Sequence, residues 1–203
     1  MEQGVLNQVV LIGRTDGNPS LRLDIRPFLL AFTLHIPPAP NETGEGIFVK
    51  VLKRGNDAID SKPERDGDVM VVGSLQSSIV ALSEEEEKGV PRAWIQALSV
   101  RTPPVAGPYN SAVVLGKITS DVQLRQDAAG RPWASFLLAV PMPSWARNRV
   151  SLIKVSVRGQ SAVSRYVPEI EKGRFCLCRG KIASRIMQGG RSDVSVIAQE
   201  IIF

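Results

Sequence analysis

The sequence predicts an all-β protein in which one five-stranded unit is written twice. Three observations predict it. Short apolar, β-branched runs recur between clusters of Gly, Pro, Asn and Asp, the pattern of strands divided by turns. The order from Asn110 to Pro141 (an apolar run to Gly116 and Lys117, then Leu124-Arg125, then Trp133 to Val140) also stands near the N-terminus, as Asn7 to Gly13 and Arg14, Leu21-Arg22, and Phe28 to Leu34. The offset holds along the chain: Gly13 to Gly116 and Leu21 to Leu124 are each 103 positions, Gly55 to Gly159 is 104, Gly67 to Gly173 is 106 and Gly73 to Gly180 is 107. Chance does not keep one register over five landmarks, so the repeat governs every other reading of the fold.

In the first copy, Val9 to Ile12 is a buried strand ended by Gly13, and Asp16-Gly17-Asn18-Pro19 is turn chemistry. Leu21 to Leu34 is a strand pair or one long bent strand, with Pro27 at a bulge or edge. Pro37 to Gly46 is a loop. Phe48 to Arg54 is the third strand, with Phe48, Lys50 and Leu52 on one face and Val49, Val51 and Lys53 on the other, so neither face is purely apolar. Asn56 to Pro63 has room for one or two helical turns. After the turn at Asp66-Gly67-Asp68, Val69 to Val72 is a strand ended by Gly73, and Ser74 to Val80 runs on to a hairpin tip holding Glu84 to Glu87 and Gly89. Ala93 to Leu98 returns as the last strand. Thr102 to Pro108, with prolines at 103, 104 and 108, is a stiff, extended linker.

The second copy repeats this order. Val113 to Leu115 with Gly116 is the opening strand, Asp127 to Gly130 a hairpin tip, and Trp133 to Val140 a strand with Ala134, Phe136 and Leu138 toward the core and Trp133 facing away. Pro141 to Arg149 is a loop that sets Trp145 beside Arg147 and Arg149, the composition that base stacking with phosphate contact requires. Leu152 to Val157, with Lys154 and Arg158, is the third strand. Gln160 to Ile170 reads as a short helix with Ala162, Val163, Tyr166 and Ile170 inward, disturbed by Pro168. Phe175 to Cys178, then Ile182 to Met187 with Lys181 and Arg185, lead to the tip Gln188 to Arg191, and Val194 to Phe203 closes the unit. The expected domains are 1–102, a linker at 103–108, and 109–203.

The 203 residues carry a net charge of +5, and this total hides an asymmetry. Residues 1–103 hold 11 Lys plus Arg against 14 Asp plus Glu, a net of −3, whereas residues 104–203 hold 14 against 6, a net of +8. A basic copy beside a slightly acidic one suggests unequal roles toward a polyanion. Cys176 and Cys178, two apart on a strand, read as small core residues on one face, in a reducing compartment. The single His, His35, reads as structural at a strand end, and without a Gly-rich phosphate loop, a metal-ligand cluster or a Ser-His-Asp set no catalytic residue, metal or cofactor is expected. No apolar run reaches membrane-spanning length, and Met1 to Asn7 lacks a basic region followed by an apolar core, so the expected location is the cytoplasm.

Each half thus orders its elements as in an OB-fold, a small, partly open five-stranded barrel used for oligonucleotides. The residues also resemble the bacterial single-stranded DNA-binding (SSB) protein family. In the second half the likeness is carried by Asn110, Val114-Leu115-Gly116, Leu124-Arg125, Gly130, Trp133-Ala134, Phe136, Leu138-Ala139, Val155, Val157, Gly159, Ala162, Lys172-Gly173, Gly180 and Ile182. In the first half it is looser, through Asn7, Leu11-Ile12-Gly13, Leu21-Arg22, Phe32-Thr33-Leu34, Arg54-Gly55, Asp66 to Val69 and Gly73 to Leu75. The resemblance implies two tandem OB-folds in one chain and a homodimer supplying four. Of the family's stacking rings this chain keeps Trp145 and Phe48, while Leu152, Arg158, Met187, Arg54 and Val80 stand where others occur. Gln199 to Phe203 reads as a closing strand rather than as the family's acidic tail.

The function this predicts is non-catalytic, sequence-tolerant binding of single-stranded DNA in replication, recombination or repair, dominated by the basic half. Phosphates would meet Arg147, Arg149, Lys154, Arg158, Arg185 and Arg191. Bases would stack on Trp145 and Trp133, with Phe48, Lys50 and Arg54 contributing from the first half. The alternative is a scaffold derived from the same family that holds replication or repair proteins, favoured for the acidic half by its Glu84 to Glu87 tip.

Overall fold

The computed structural model describes residues 6–38, 46–77, 93–142, 150–186 and 192–203, with the backbone alone described at 185–186 and 192–193. The fold is all-β. Residues up to 101 form β1 (Asn7–Arg22), β2 (Leu29–Ile36), β3 (Ile47–Arg54), a 3-10 turn at Asn56–Ala58, β4 (Asp68–Ser77) and β5 (Ala93–Arg101). The rest form β6 (Tyr109–Ile118), β7 (Gln123–Gln126), β8 (Pro132–Pro141), β9 (Val150–Arg158), α1 (Gln160–Tyr166) continued by a 3-10 turn at Val167–Glu169, β10 (Phe175–Ile186) and β11 (Ser192–Ile202). Between β5 and β6, residues 102–108 hold no regular element.

Strand pairing follows the repeat. β1 pairs with β2 and with β4, β2 with β3, β3 in parallel with β5, and β5 with β4, so this ladder returns to its start. The later strands close likewise: β6 pairs with β8 and β10, β8 with β9, β9 in parallel with β11, and β11 with β10, while β7 forms a hairpin on β8. In the strands other than β7, which is exposed throughout, alternate residues face inward. Val9 and Leu11, Leu30 and Leu34, Val49 and Val51 are fully buried in the first half, as are Ala134 and Leu138, Val155 and Val157, Cys178 and Ile182 in the second.

Two devices recur at equivalent places. The Asn7 side chain donates to the Leu75 carbonyl at 2.7 Å and accepts from the Leu75 amide at 3.0 Å; Asn110 does the same to Ile182, at 2.8 Å each way. Each Asn thereby replaces a stretch of ladder where strands diverge, which explains why both copies begin on that residue. The glycines at 73 and 180 serve a close approach. A Cβ there would collide with the Gln96 or Ile197 carbonyl, and the ladder shifts register at both places.

Two expectations are corrected and a third is settled. The glycines at 13 and 73 do not end strands: β1 continues to Arg22 and β4 to Ser77. Asp16 to Pro19 is a bulge inside β1 rather than a turn, because the pairings Asp16 with Thr33 and Ser20 with Ala31 leave extra residues on β1, and Gly17 absorbs them at φ 76°. Leu21 to Leu34 is the strand pair and not one bent strand: Leu21-Arg22 end β1, the chain reverses over Leu23–Phe28 with Pro27 in the reversal, and Leu21 and Arg22 pair with Leu30 and Leu29 of β2. The short helix does stop where Pro168 requires, with Val163, Tyr166 and Ile170 buried and Ala162 packed at the core edge. Cys176 and Cys178 share the core face with sulfurs 3.8 Å apart, and the hydrogen bond between them together with burial pushes the Cys178 thiol up, so it is held neutral.

The halves join through an internal two-fold. β1 and β6, equivalent strands, pair antiparallel with Val9 opposite Ala112, residues themselves 103 positions apart. Around that axis side chains bond across the seam at two related places. The Phe48 amide donates to Ser184 Oγ at 3.0 Å, and at the related place the Ser77 amide donates to Ser151 Oγ at 3.2 Å. Ser77 Oγ also donates to the Leu152 carbonyl at 2.9 Å, and buried Ser151 donates to Gln76 Oε1 at 2.9 Å.

Candidate nucleic-acid interface

A cavity of about 760 Å³ opens on the outer face of the second half. Strand alternation builds it. With Ala134, Val155, Val157 and Val196 turned inward, Trp133, Lys154, Ser156, Arg158 and Ser195 turn outward from adjoining strands β8, β9 and β11. The register sets three side chains in a row across three strands: Arg125 on β7 opposite Trp133 on β8, opposite Arg158 on β9. Neighbouring strands lie about 4.8 Å apart, so the row is a cation, a ring and a cation within one nucleotide's span. The Arg125 guanidinium carbon sits 5.6 Å from the Trp133 ring centroid, and its Nη2 donates to Gln123 Oε1 at 3.1 Å. A second row places Leu137, Lys154 and Ser195 side by side.

The floor and the rim differ in chemistry. Ala183, Ser184, Ser195 and the buried Ser156 make a floor of small, mostly hydroxylated residues; Arg125, Gln126, Arg131, Trp133, Lys154 and Arg158 rise around it. Its one carboxylate, Asp127, is committed internally. Asp127 Oδ1 accepts from the amides of Ala129 at 2.9 Å and Arg131 at 3.0 Å, and Oδ2 accepts from Arg131 Nε at 2.7 Å. Those bonds, the backbone one foremost, hold the Asp127 carboxyl below the usual carboxylate range, so it stays ionised and fixes the β7–β8 tip. The result is a cationic, hydroxyl-floored cavity with one aromatic wall. Its chemistry matches a phosphodiester with a base to stack.

Of the residues expected from the sequence, Trp133, Lys154 and Arg158 come together here. Trp145, Arg147, Arg149 and Arg191 lie outside the described residues, and Arg185 is described only as β10 backbone opposite Asp193. Lys50 and Arg54 are exposed on β3 in the other half, opposite Thr33 and Leu29. Phe48 stands at the seam. Its ring stacks on His35, centroids 4.4 Å apart and planes 9° off parallel, and its amide bonds to Ser184, which lines the cavity. Sequence reasoning missed Arg125, Arg131, Gln126, Ser156 and Ser195. Arg125 was visible as a repeat landmark, but only the pairing of β7 on β8 puts it beside Trp133.

The first half carries the same row in weaker form: Arg22, Leu29 and Arg54 stand opposite one another, with Leu29 where the second half has Trp133. Arg22 is held by Asp24 through bonds of 2.9 and 2.6 Å. Lys53 is no surface cation, for it is 3% exposed, with Nζ donating to Asp57 at 2.8 Å and to the Leu98 carbonyl at 2.9 Å. That explains the mixed faces of β3. Among the described residues, no group of three or more His, Cys, Asp or Glu is placed to hold a metal ion, and no helix is long and apolar enough to cross a membrane.

Residues 109–203 match the model of the single-strand binding protein family. No curated protein sequence matches the chain. Among solved structures, the fold is similar to a deletion variant of the single-stranded DNA-binding protein from Thermus aquaticus, at a TM-score of 0.76 and 20% identity over 98% of this chain and 94% of that one. The wild-type Thermus aquaticus protein gives 0.73 and 22%, over 98% and 92%. At such identities the likeness establishes a shared fold, and it extends over nearly the whole chain.

Proposed function

We propose that this chain, SSB-like through its residues 109–203, is a non-catalytic, sequence-tolerant binder of single-stranded DNA, acting mainly through its basic half. The observation that carries this reading is the row of Arg125, Trp133 and Arg158 across the mouth of the hydroxyl-floored cavity. Guanidinium and ammonium groups take phosphates, and Trp133 takes a base face, which every base has; the contacts therefore carry little sequence information. In this reading the two closed ladders are tandem OB-folds, residues 1–102 and 109–203, joined by 103–108. Arg147, Arg149, Arg185, Arg191 and Trp145 belong to the same basic half and extend the grip. Two chains associate as a homodimer with four such units. Replication, recombination and repair are the processes that expose such strands, and the cytoplasm around the nucleoid is where they occur.

The test is fluorescence titration with oligo-dT over a range of salt. If Arg125, Lys154 and Arg158 each neutralise a phosphate, log affinity falls with log salt at a slope of about −2 or steeper, at ~0.7 per phosphate. Arg158→Glu lowers affinity and flattens that slope. Trp133→Ala lowers affinity by about 1–3 kcal/mol with the slope unchanged, because it removes stacking and no charge. Salt-independent binding, or none, overturns the reading.

A further inference from the structure

The internal repeat allows the two binding faces to be compared position by position, and one pair of positions differs most. In the second half, Ala183 on β10 stands opposite Ser195 on β11, and both line the cavity floor. The equivalent pair in the first half is fixed by the Asn devices. Asn110 binds Ile182, the residue before Ala183, and Asn7 binds Leu75, the residue before Gln76. The partner of Gln76 across the β4–β5 ladder is Trp94. Two small residues that leave a floor open are thus replaced by two of the larger side chains.

Both replacements are built in. Gln76 is 1% exposed, with Nε2 donating to Ser74 Oγ at 2.9 Å and Oε1 accepting from Ser151 of the other half. Trp94 is half-buried, and its indole N–H is fully covered. The Leu52 side chain occupies the place of Ser156, which removes a further hydroxyl from that floor. The seam is unequal in the same sense. The first half lends the second Phe48, stacked on His35 and bonded to the floor residue Ser184, whereas the second half returns Ser151, which locks the plug.

We infer that each chain offers one strand-binding pocket, that of the second half extended across the seam by Phe48 and His35, and that Gln76 and Trp94 close its counterpart in the first half. This rests on the single-strand reading above. The pair at 183 and 195 is then the determinant of an open face, and the pair at 76 and 94 of a closed one.

Calorimetric titration of the full chain with an oligo-dT about eight nucleotides long, within the span one OB unit covers, counts the sites directly. The expected result is one oligonucleotide per chain. Ser195→Trp, which fills an open cavity rather than a packed core, lowers affinity by about tenfold or more, the scale of one lost stacked base. The double variant Gln76→Ala with Trp94→Ser raises the count toward two. Should that variant fail to fold, Ser195→Trp and Trp94→Leu decide: Trp94→Leu leaves affinity unchanged, because the Trp94 ring holds no base. Two equivalents on the unmodified chain, retained affinity in Ser195→Trp, or lost affinity in Trp94→Leu overturns this inference and leaves the single-strand reading standing. No binding by the unmodified chain removes both.

Discussion

Single side chains decide the local chemistry of this protein. Asn110 is a clear case. It spans a gap between strands with two bonds to the Ile182 backbone, and without it a partly buried amide and carbonyl lose their partners. Asn110→Ala should therefore cost about 1–3 kcal/mol in chemical denaturation, from unsatisfied groups rather than lost volume. A value near zero would mean that water replaces the side chain. A second case concerns charge. The Arg22 side chain hydrogen-bonds Asp24 and lowers its carboxyl pKa to about 2. A depressed carboxylate contributes stability above its unfolded value, near 4, and the contribution disappears as pH falls toward 2. Both side chains are exposed, so the contribution is small. Its position on the pH axis is what NMR titration reads: Asp24 should titrate near 2, and Arg22→Gln should return it toward 3.8.

At the scale of the element, the close approach at Gly180 makes a sharp prediction. A side chain there meets the Ile197 carbonyl, so Gly180→Val must open the β10–β11 ladder where it shifts register. We expect a loss of about 2 kcal/mol or more, in the range of overpacked cores, seen as a lower denaturation midpoint. Wild-type stability in that variant would show that the ladder can slide. The same glycine illustrates what the sequence disclosed. Repeated glycines at a steady offset marked where the two units correspond, and alternation placed Ala134, Phe136 and Leu138 inward and Trp133 outward as found. Alternation could not tell a bulge from a turn at Asp16 to Pro19, because Gly, Asn and Pro serve both. Nor could it bring Arg125 to Trp133, or Ser195 to Lys154, since those neighbours are set by which strands pair and in which register. The site was legible as residue types and illegible as a cavity for that reason.

At the scale of the molecule, six strands in the order β5-β4-β1-β6-β10-β11 form one continuous face across the seam. Its outer side holds Val10 and Val113, equivalent residues about the internal two-fold, with Leu115, Leu177, Met70 and Val72 half-buried around them. Tyr109, Phe175 and Ile202 are each more than half exposed at 51%, 56% and 53%. An isologous contact requires a face complementary to itself, and a face already bearing a two-fold presents matching patches on both sides of its centre. Gln8, Ser111 and Arg179 stand among these residues, and the apolar groups between them are unfavourably exposed to water until a second copy covers them. The homodimer proposed above is therefore expected to form through this face, leaving the cavity of each chain, on β7, β8, β9 and β11, open to solvent. Sedimentation should give twice the chain mass. Leu115→Glu, a charge placed between the apolar side chains of the contact, should shift the equilibrium to monomer, because burying a carboxylate is costly. The monomeric variant should still bind oligo-dT with the same number of strands per chain. A wild-type chain that sediments as a monomer at tens of micromolar, or a Leu115→Glu dimer as tight as wild type, would rule this face out as the contact.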